Sequence, residues 1–274
     1  MTSLRSVRIG IIGAGKMGQA LIKGLLATGL SPNALRAADA DAATRKAVSQ
    51  RFSVQVAEDN LGLVRWTNVV IVAVKPQQCH DVIVPLASEL TPQHLVISIV
   101  AGITLRWWQA KLPGVPVVRV MPNLPATVGA GFSAIAWGPK VRPRHRAMAR
   151  AIVHAVGEVA ELPERHFDAI TAVSGSGPAY VFSLVQMWED AARALGLPKD
   201  VASAAIAQTL SGSVALLRAS GEPAGALVSQ VASKGGTTEA ALKVFEQRRL
   251  RLHMMEALRA AAQRSKQLSE RYQI

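Results

Sequence analysis

A chain of 274 residues is long enough for two domains that each bury a core. Half of its residues are hydrophobic but only 4% are aromatic, an excess of Ala, Val, Leu and Ile that points to extensive buried surface between subunits. One cysteine, Cys79, excludes an internal disulfide framework and a cysteine-based zinc site, and a net charge of +13 without aromatic interleaving or a nucleic-acid motif reads as solvated helix faces rather than a nucleic-acid groove.

The opening, MTSLRSVRIGIIGAGKMGQ, has the basic start and apolar run of a secretion leader, but Lys16 interrupts the run and the glycine spacing inside it has another use. β-Branched runs at 7–12, 34–39, 68–74, 94–100 and 115–120 read as strands, with a further one at 131–138. Segments at 16–28, 41–51, 80–90 and 143–156 have helical composition and length. Apolar runs buried on both faces and separated by helices predict a parallel, doubly wound sheet over residues 1–162. After ELPERH (161–166) the strand runs cease, and helices are punctuated by Pro178, GLPKD (196–200), GEP (221–223) and the pair Gly235 and Gly236. Residues 163–274 are therefore expected to be an all-α domain whose apolar helices pack on a second copy. Of the charge-free stretches, the one between Asp168 and Glu189 is broken by Ser, Gly and Pro, and the one between Asp200 and Arg218 is short for a bilayer. No membrane span is expected, and a cytoplasmic location is.

Gly13, Gly15 and Gly18 in GIIGAGKMG form GxGxxG between a strand and a helix. The first glycine permits a tight turn, the second lets pyrophosphate approach the backbone, and the third lets helix and strand pack closely, which is the dinucleotide fingerprint of a Rossmann domain. Asp39, 21 residues past Gly18, sits where an acid accepts hydrogen bonds from the adenosine ribose and favours NADH. Arg36, Arg45 and Lys46 lie close in sequence and suit a 2′-phosphate, so NADPH and NADH both stay open.

Four further stretches, VAVKPQ (72–77), RVMPNLPA (119–126), SGSGPAY (174–180) and ASKGGTTEAALKVFE (232–246), have the order and spacing of pyrroline-5-carboxylate reductases, and RSKQL (264–268) is similar to the end of that family's last helix. The resemblance implies a Rossmann domain followed by a helical domain that interlocks into a homodimer, of which some members build a ring of five. It places the coenzyme against Ile12, Gly13, Ala14, Gly15, Lys16 and Met17, against Asp39 and Asn60, and against Ala73, Val74, Lys75 and Pro76. Ile99, Val100 and Ala101 belong to the same set, and Met121, Pro122 and Asn123 line the nicotinamide end. The substrate falls against Ser233, Gly235, Gly236, Thr237 and Thr238 of the second subunit, with Glu164 near the same pocket. The chain departs from the family pattern at Lys234 in place of Pro, at Leu124 in place of Thr, and at Arg248 or Arg249 in place of Gly.

The implied reaction turns the cyclic imine 1-pyrroline-5-carboxylate into L-proline, the last step of proline biosynthesis. Hydride comes from the nicotinamide, so the protein must hold two rings about 3 to 3.5 Å apart and anchor a carboxylate. A helix starting near Thr237 with glycines before it offers unpaired N–H groups for that anion, and the Thr238 hydroxyl is the candidate catalytic partner of the imine nitrogen. No metal is expected. An enzyme of the 3-hydroxyacid dehydrogenase type needs a lysine on an early helix of its second domain, and 178–196 contains none. A non-catalytic dinucleotide-binding regulator would leave the GGTT turn without a purpose.

Overall fold

The computed structural model describes Leu4 and residues 7–272, so most of the basic start of the leader-like opening and the last two residues of the helical domain lie outside it. In chain order the first half contains β1 (Ile9–Ile12), α1 (Lys16–Ala27), β2 (Leu35–Ala38), α2 (Ala42–Phe52), β3 (Gln55–Val56), α3 (Asn60–Trp66), β4 (Val69–Val72) and α4 (Cys79–Ile83). There follow β5 (Leu95–Ser98), α5 (Leu105–Lys111), β6 (Val117–Met121), β7 (Gly131–Trp137), α6 (Pro143–His154) and β8 (Gly157–Glu161). The remainder is helical: α7 (Phe167–Ile170), α8 (Gly177–Ala194), α9 (Lys199–Ser220), α10 (Ala224–Val231), α11 (Thr237–Gln247) and α12 (Leu250–Arg271).

One eight-stranded sheet runs in the order β3-β2-β1-β4-β5-β6-β7-β8. Its neighbours pair in parallel except β6 and β7. Between those two only a 3₁₀ turn at Leu124–Val128 intervenes, too short for a crossover, so the chain must return antiparallel. Alternate strand residues feed two cores. Ile9, Ile11, Ile71, Leu95, Ile97 and Val120 pack on one face, and Val70, Val72, Val96 and Val117 on the other, which is why the strands read as unbroken apolar runs. The expected Rossmann domain followed by an all-α region is the observed fold class.

The chain divides into two compact units. One runs to Ser176 and takes in the chain again from Ala261, and the other is Gly177–Ala260. The sequence reading divides at 162/163 instead. Residues 163–176 group with the sheet because Phe167 is 2% exposed in its second core and Ser174 accepts a hydrogen bond from Asn123 at 3.1 Å. The return of α12 is equally specific: Ser265 donates to Asp168 at 2.7 Å, and Gln77 Nε2 donates to the Tyr272 hydroxyl at 2.9 Å. In the helical unit only Ala192, Ala202 and Ile206 form a buried cluster. α9 is the one helix among the described residues long and apolar enough to cross a bilayer, judged by length and composition alone.

Candidate active site

The strand order reverses direction between β1 and β4, and a cleft of about 380 Å³ opens there beyond the carboxyl ends of the strands, where doubly wound sheets bind ligands. It is lined by Ile12, Gly13, Gly15, Asp39, Asn60, Ala73, Val74 and Lys75 of the expected coenzyme residues, joined by Ala38, Ala40, Thr44, Gln78 and Val82. These last five carry no motif: Ala38 ends β2 and Ala40 follows it, Thr44 lies on α2, Gln78 in the turn after β4 and Val82 on α4, and a sequence pattern has no way to mark them.

Each glycine of the fingerprint has its own geometry. Gly13 has φ +95°, and a Cβ there would lie 2.7 Å from the Ala73 carbonyl oxygen. A Cβ on Gly18 would lie 2.2 Å from the Gly13 carbonyl oxygen, so α1 can sit this close to the turn only without one. Around Gly15 there is open space, the room an incoming phosphate needs. Gly15 also caps α1 with no side-chain hydrogen bond, leaving the first-turn N–H groups for an anion. These features fit a dinucleotide. Ala14 is itself buried, and its N–H donates to Asp39 Oδ2 at 2.7 Å, tying the glycine turn to the end of β2.

Other expected positions lie at the ends of neighbouring strands. Pro76 opens a 3₁₀ turn after β4, and Ile99, Val100 and Ala101 follow β5, with the Ile99 N–H donating to the Val72 carbonyl at 3.0 Å. Met121, Pro122 and Asn123 are half-buried. Asn123 Oδ1 accepts from the Phe132 N–H at 2.9 Å while its amide holds Ser174, so the segment is clamped from two sides. Ser174 belongs to a π-helical turn, Thr171–Gly175, and such turns recur at functional sites. A Cβ on Gly175 would lie 2.7 Å from Met121 Cε.

Glu164 is held by two contacts within the sheet unit. Its Oε1 accepts from Arg119 Nη1 at 2.7 Å and from the Leu105 N–H at 2.8 Å, while the Arg119 guanidinium lies 4.7 Å from the Phe167 ring. Arg119 is 5% exposed, so this carboxylate neutralises an otherwise buried cation. Cys79, fully buried at the start of α4, has its thiol pushed up to about 12 by burial and is no nucleophile. Among the described residues no group of three or more His, Cys, Asp or Glu assembles that would hold a metal.

The remaining expected positions, Ser233 and Gly235–Thr238, belong to the helical unit. Gly235 has φ +75°, which favours glycine, and a Cβ on Gly236 would lie 2.5 Å from the Ser233 hydroxyl oxygen. Gly236 caps α11 with no side-chain hydrogen bond, which leaves first-turn N–H groups unpaired. The Gly235 N–H donates to the carboxylate of Glu239, which also pairs with Lys243 Nζ at 3.4 Å. The turn thus already holds a carboxylate, one from its own helix. Lys234 is exposed. Downstream, Arg249 adopts φ +53°, the left-handed region that favours glycine, at the place where the resemblance expects glycine.

Residues 164–268 match the family profile described as pyrroline-5-carboxylate reductase dimerisation, and 8–102 match one described as NADP oxidoreductase, coenzyme F420-dependent. The pyrroline-5-carboxylate reductase of Synechocystis sp. is 39% identical over 97% of this chain and all of its own length. A solved pyrroline-5-carboxylate reductase from Coxiella burnetii superposes with a TM-score of 0.91 at 33% identity, covering 96% of this chain and 99% of that one. The Plasmodium falciparum pyrroline carboxylate reductase, solved with NADP bound, gives 0.89 at 26%, covering 97% and 100%. With curated relatives this similar over nearly their full length, the chain belongs to the pyrroline-5-carboxylate reductase family.

Proposed function

We propose that the chain reduces 1-pyrroline-5-carboxylate to L-proline as the last step of proline biosynthesis. The observation that supports this reading within the family match is the start of α11, where Gly236 caps the helix with no side-chain hydrogen bond and leaves first-turn N–H groups for a carboxylate without any arginine. A reduced nicotinamide dinucleotide, when bound, supplies the hydride. The chain's own residues bind and orient. Gly13 to Met17 hold the pyrophosphate, Asp39 and Asn60 the adenosine side, and Ala73 to Pro76 with Ile99 to Ala101 the walls. Met121 to Asn123, fixed by Phe132 and Ser174, border the nicotinamide end.

Ser233 and Gly235 to Thr238 take the substrate carboxylate, presented by the second copy of the chain. The Thr238 hydroxyl hydrogen-bonds the imine nitrogen. A threonine hydroxyl is far too weak an acid to protonate that nitrogen unaided, so the proton arrives through water or with the substrate as its iminium. Glu164, committed to Arg119 and Leu105, positions the chain between β5 and α5.

The family profile over 164–268 is one of dimerisation, and the protein is a homo-oligomer. We take the dimer as the minimal active unit, residues 163–274 as the module that builds it, and a ring of five dimers as the larger assembly. The apolar surface of α9 then belongs to the subunit interface rather than to a bilayer, and the enzyme works in the cytoplasm. A spectrophotometric assay of 1-pyrroline-5-carboxylate with NADH and NADPH in parallel tests the activity. Oxidation of neither would defeat the reading.

A further inference from the structure

We infer that the coenzyme is NADH rather than NADPH, selected by Asp39, which lines the cleft where an adenosine 2′-phosphate would arrive, and by Asp41, which caps α2 two residues beyond it. The inference rests on the dinucleotide reading of the cleft above. In this fold the adenosine ribose lies at the end of the second strand, and a 2′-phosphate extends toward the residues just after it, here Ala40, Asp41 and the start of α2.

Asp39 is held in place at both oxygens. Oδ2 accepts from the Ala14 N–H at 2.7 Å and Oδ1 from the Asp41 N–H at 2.9 Å. An ionised carboxylate is an acceptor only, and each oxygen keeps a lone pair for a ribose hydroxyl. A phosphate brings no donor to match and adds negative charge beside a fixed negative group.

The start of α2 would ordinarily compensate, since a helix N-terminus offers N–H groups to an anion. Here Asp41 occupies that place. Its carboxylate accepts from the Ala43 N–H at 3.2 Å, the Thr44 N–H at 3.0 Å and the Thr44 hydroxyl at 2.6 Å. The same bonds, the Thr44 hydroxyl first, hold the Asp41 carboxyl below the usual carboxylate value. Asp41 is exposed, so solvent screens its charge, and the stronger effect is that the donors are taken.

The nearby cations are committed or turned away. Arg36 donates from Nε to Gln55 Oε1 at 2.9 Å and its guanidinium stacks 4.1 Å from the Trp66 ring centre. Arg45 Nη1 donates to the Asp39 and Ala40 carbonyls at 2.8 and 2.9 Å, so it shapes the turn. Lys46 is exposed on α2, and none of the three lines the cleft. Lys75 does line it, at the end of β4, two strands away from β2. The bound NADP of the Plasmodium relative belongs to that protein, and family membership leaves the coenzyme of this chain to its own β2–α2 turn.

The test uses the full-length protein in two arms. Titration calorimetry compares NAD⁺ with NADP⁺, and the reductase assay compares kcat/KM for NADH and NADPH at fixed 1-pyrroline-5-carboxylate. The expected result is a preference of about tenfold or more for the coenzyme without the phosphate in both arms. Equal or tighter binding of NADP⁺ overturns the inference, and so does an equal or better rate with NADPH. If neither reduced coenzyme is oxidised, the activity reading fails while the binding arm still decides the preference. Asp41→Gly frees the α2 amides at little cost to the helix cap. It should narrow the NADH to NADPH ratio about fivefold or more with an unchanged melting temperature. An unchanged ratio removes Asp41 from the selection.

Discussion

Around the β1–β8 sheet the large apolar side chains are inside: Ile9, Ile11, Ile71, Val96 and Trp108 are at most 1% exposed. In the helical unit the same kinds of side chain face outward, with Phe182 60% and Met187 59% exposed on α8 and Phe245 52% on α11. Both units contain long helices rich in apolar residues, so composition alone does not separate them. What separates them is the partner each surface needs. The sheet is covered by its own chain, whereas helices this apolar on the outside are stable only against another copy. Each unit also has a helix start capped by glycine with no side-chain hydrogen bond, α1 in one and α11 in the other, and the proposed function gives the first to the coenzyme's anionic end and the second to the substrate's carboxylate.

Phe182→Arg is the strongest way to break this contrast. Placing a charge in the copy-facing surface should convert the oligomer to monomer by light scattering and lower reductase activity about 100-fold, the scale of an interface hot spot of ~2 to 3 kcal/mol. A variant that stays oligomeric and active would mean that the α8 surface is simply solvated. Glu164→Gln probes the sheet unit instead. Loss of the charge opposite buried Arg119 should cost about 2 to 3 kcal/mol of stability, read as a lower melting temperature, while KM for the imine holds. A raised KM with unchanged melting would return Glu164 to the substrate pocket.

Thr238→Ala sharpens the chemical side of the comparison. Losing one oriented hydrogen bond of ~1.5 to 2.5 kcal/mol should lower kcat/KM about 10- to 50-fold, with coenzyme binding and oligomer size unchanged. An unaltered kcat/KM would leave the hydroxyl without a part in the reaction. The smallest effect is expected at Arg249→Gly. Relief of a non-glycine residue at φ +53° should add about 1 kcal/mol and raise the melting temperature by roughly 2 to 4 °C. A fall would show that the Arg249 side chain contributes more than its backbone costs.

Much of the sheet was legible because its strands are buried on both faces, so VVIV and LVIS stand out as apolar runs of strand length. β8, GEVAE, did not stand out: it is half exposed and carries glutamates at two of its five positions. β3 is two residues long and α5 only seven, below the length at which periodicity means anything. The helix expected over 80–90 stops being α-helical at Ile83, because Pro85 lacks an N–H and the chain tightens into a 3₁₀ turn. At the site, the glycines and Asp39 were readable as a motif with a mechanism. The tie between Asn123 and Ser174 was not, because a hydrogen bond between residues 51 apart leaves no local pattern. Asp41 had a signal that passed unread: an acid directly before a helix is a cap, and a cap uses the donors an anion would seek.

α12 gives the chain an unusual order of assembly. The sheet unit is made first, yet Gly102 waits for the ring of Tyr272 to close over it and Asp168 for the hydroxyl of Ser265, and the whole helical unit is synthesised in between. A nascent chain at Ser176 therefore leaves the ribosome with its nucleotide domain unfinished. A tag fused after residue 274, or a truncation before 265, would act on the loop between β4 and α4 through Gln77, far away in sequence.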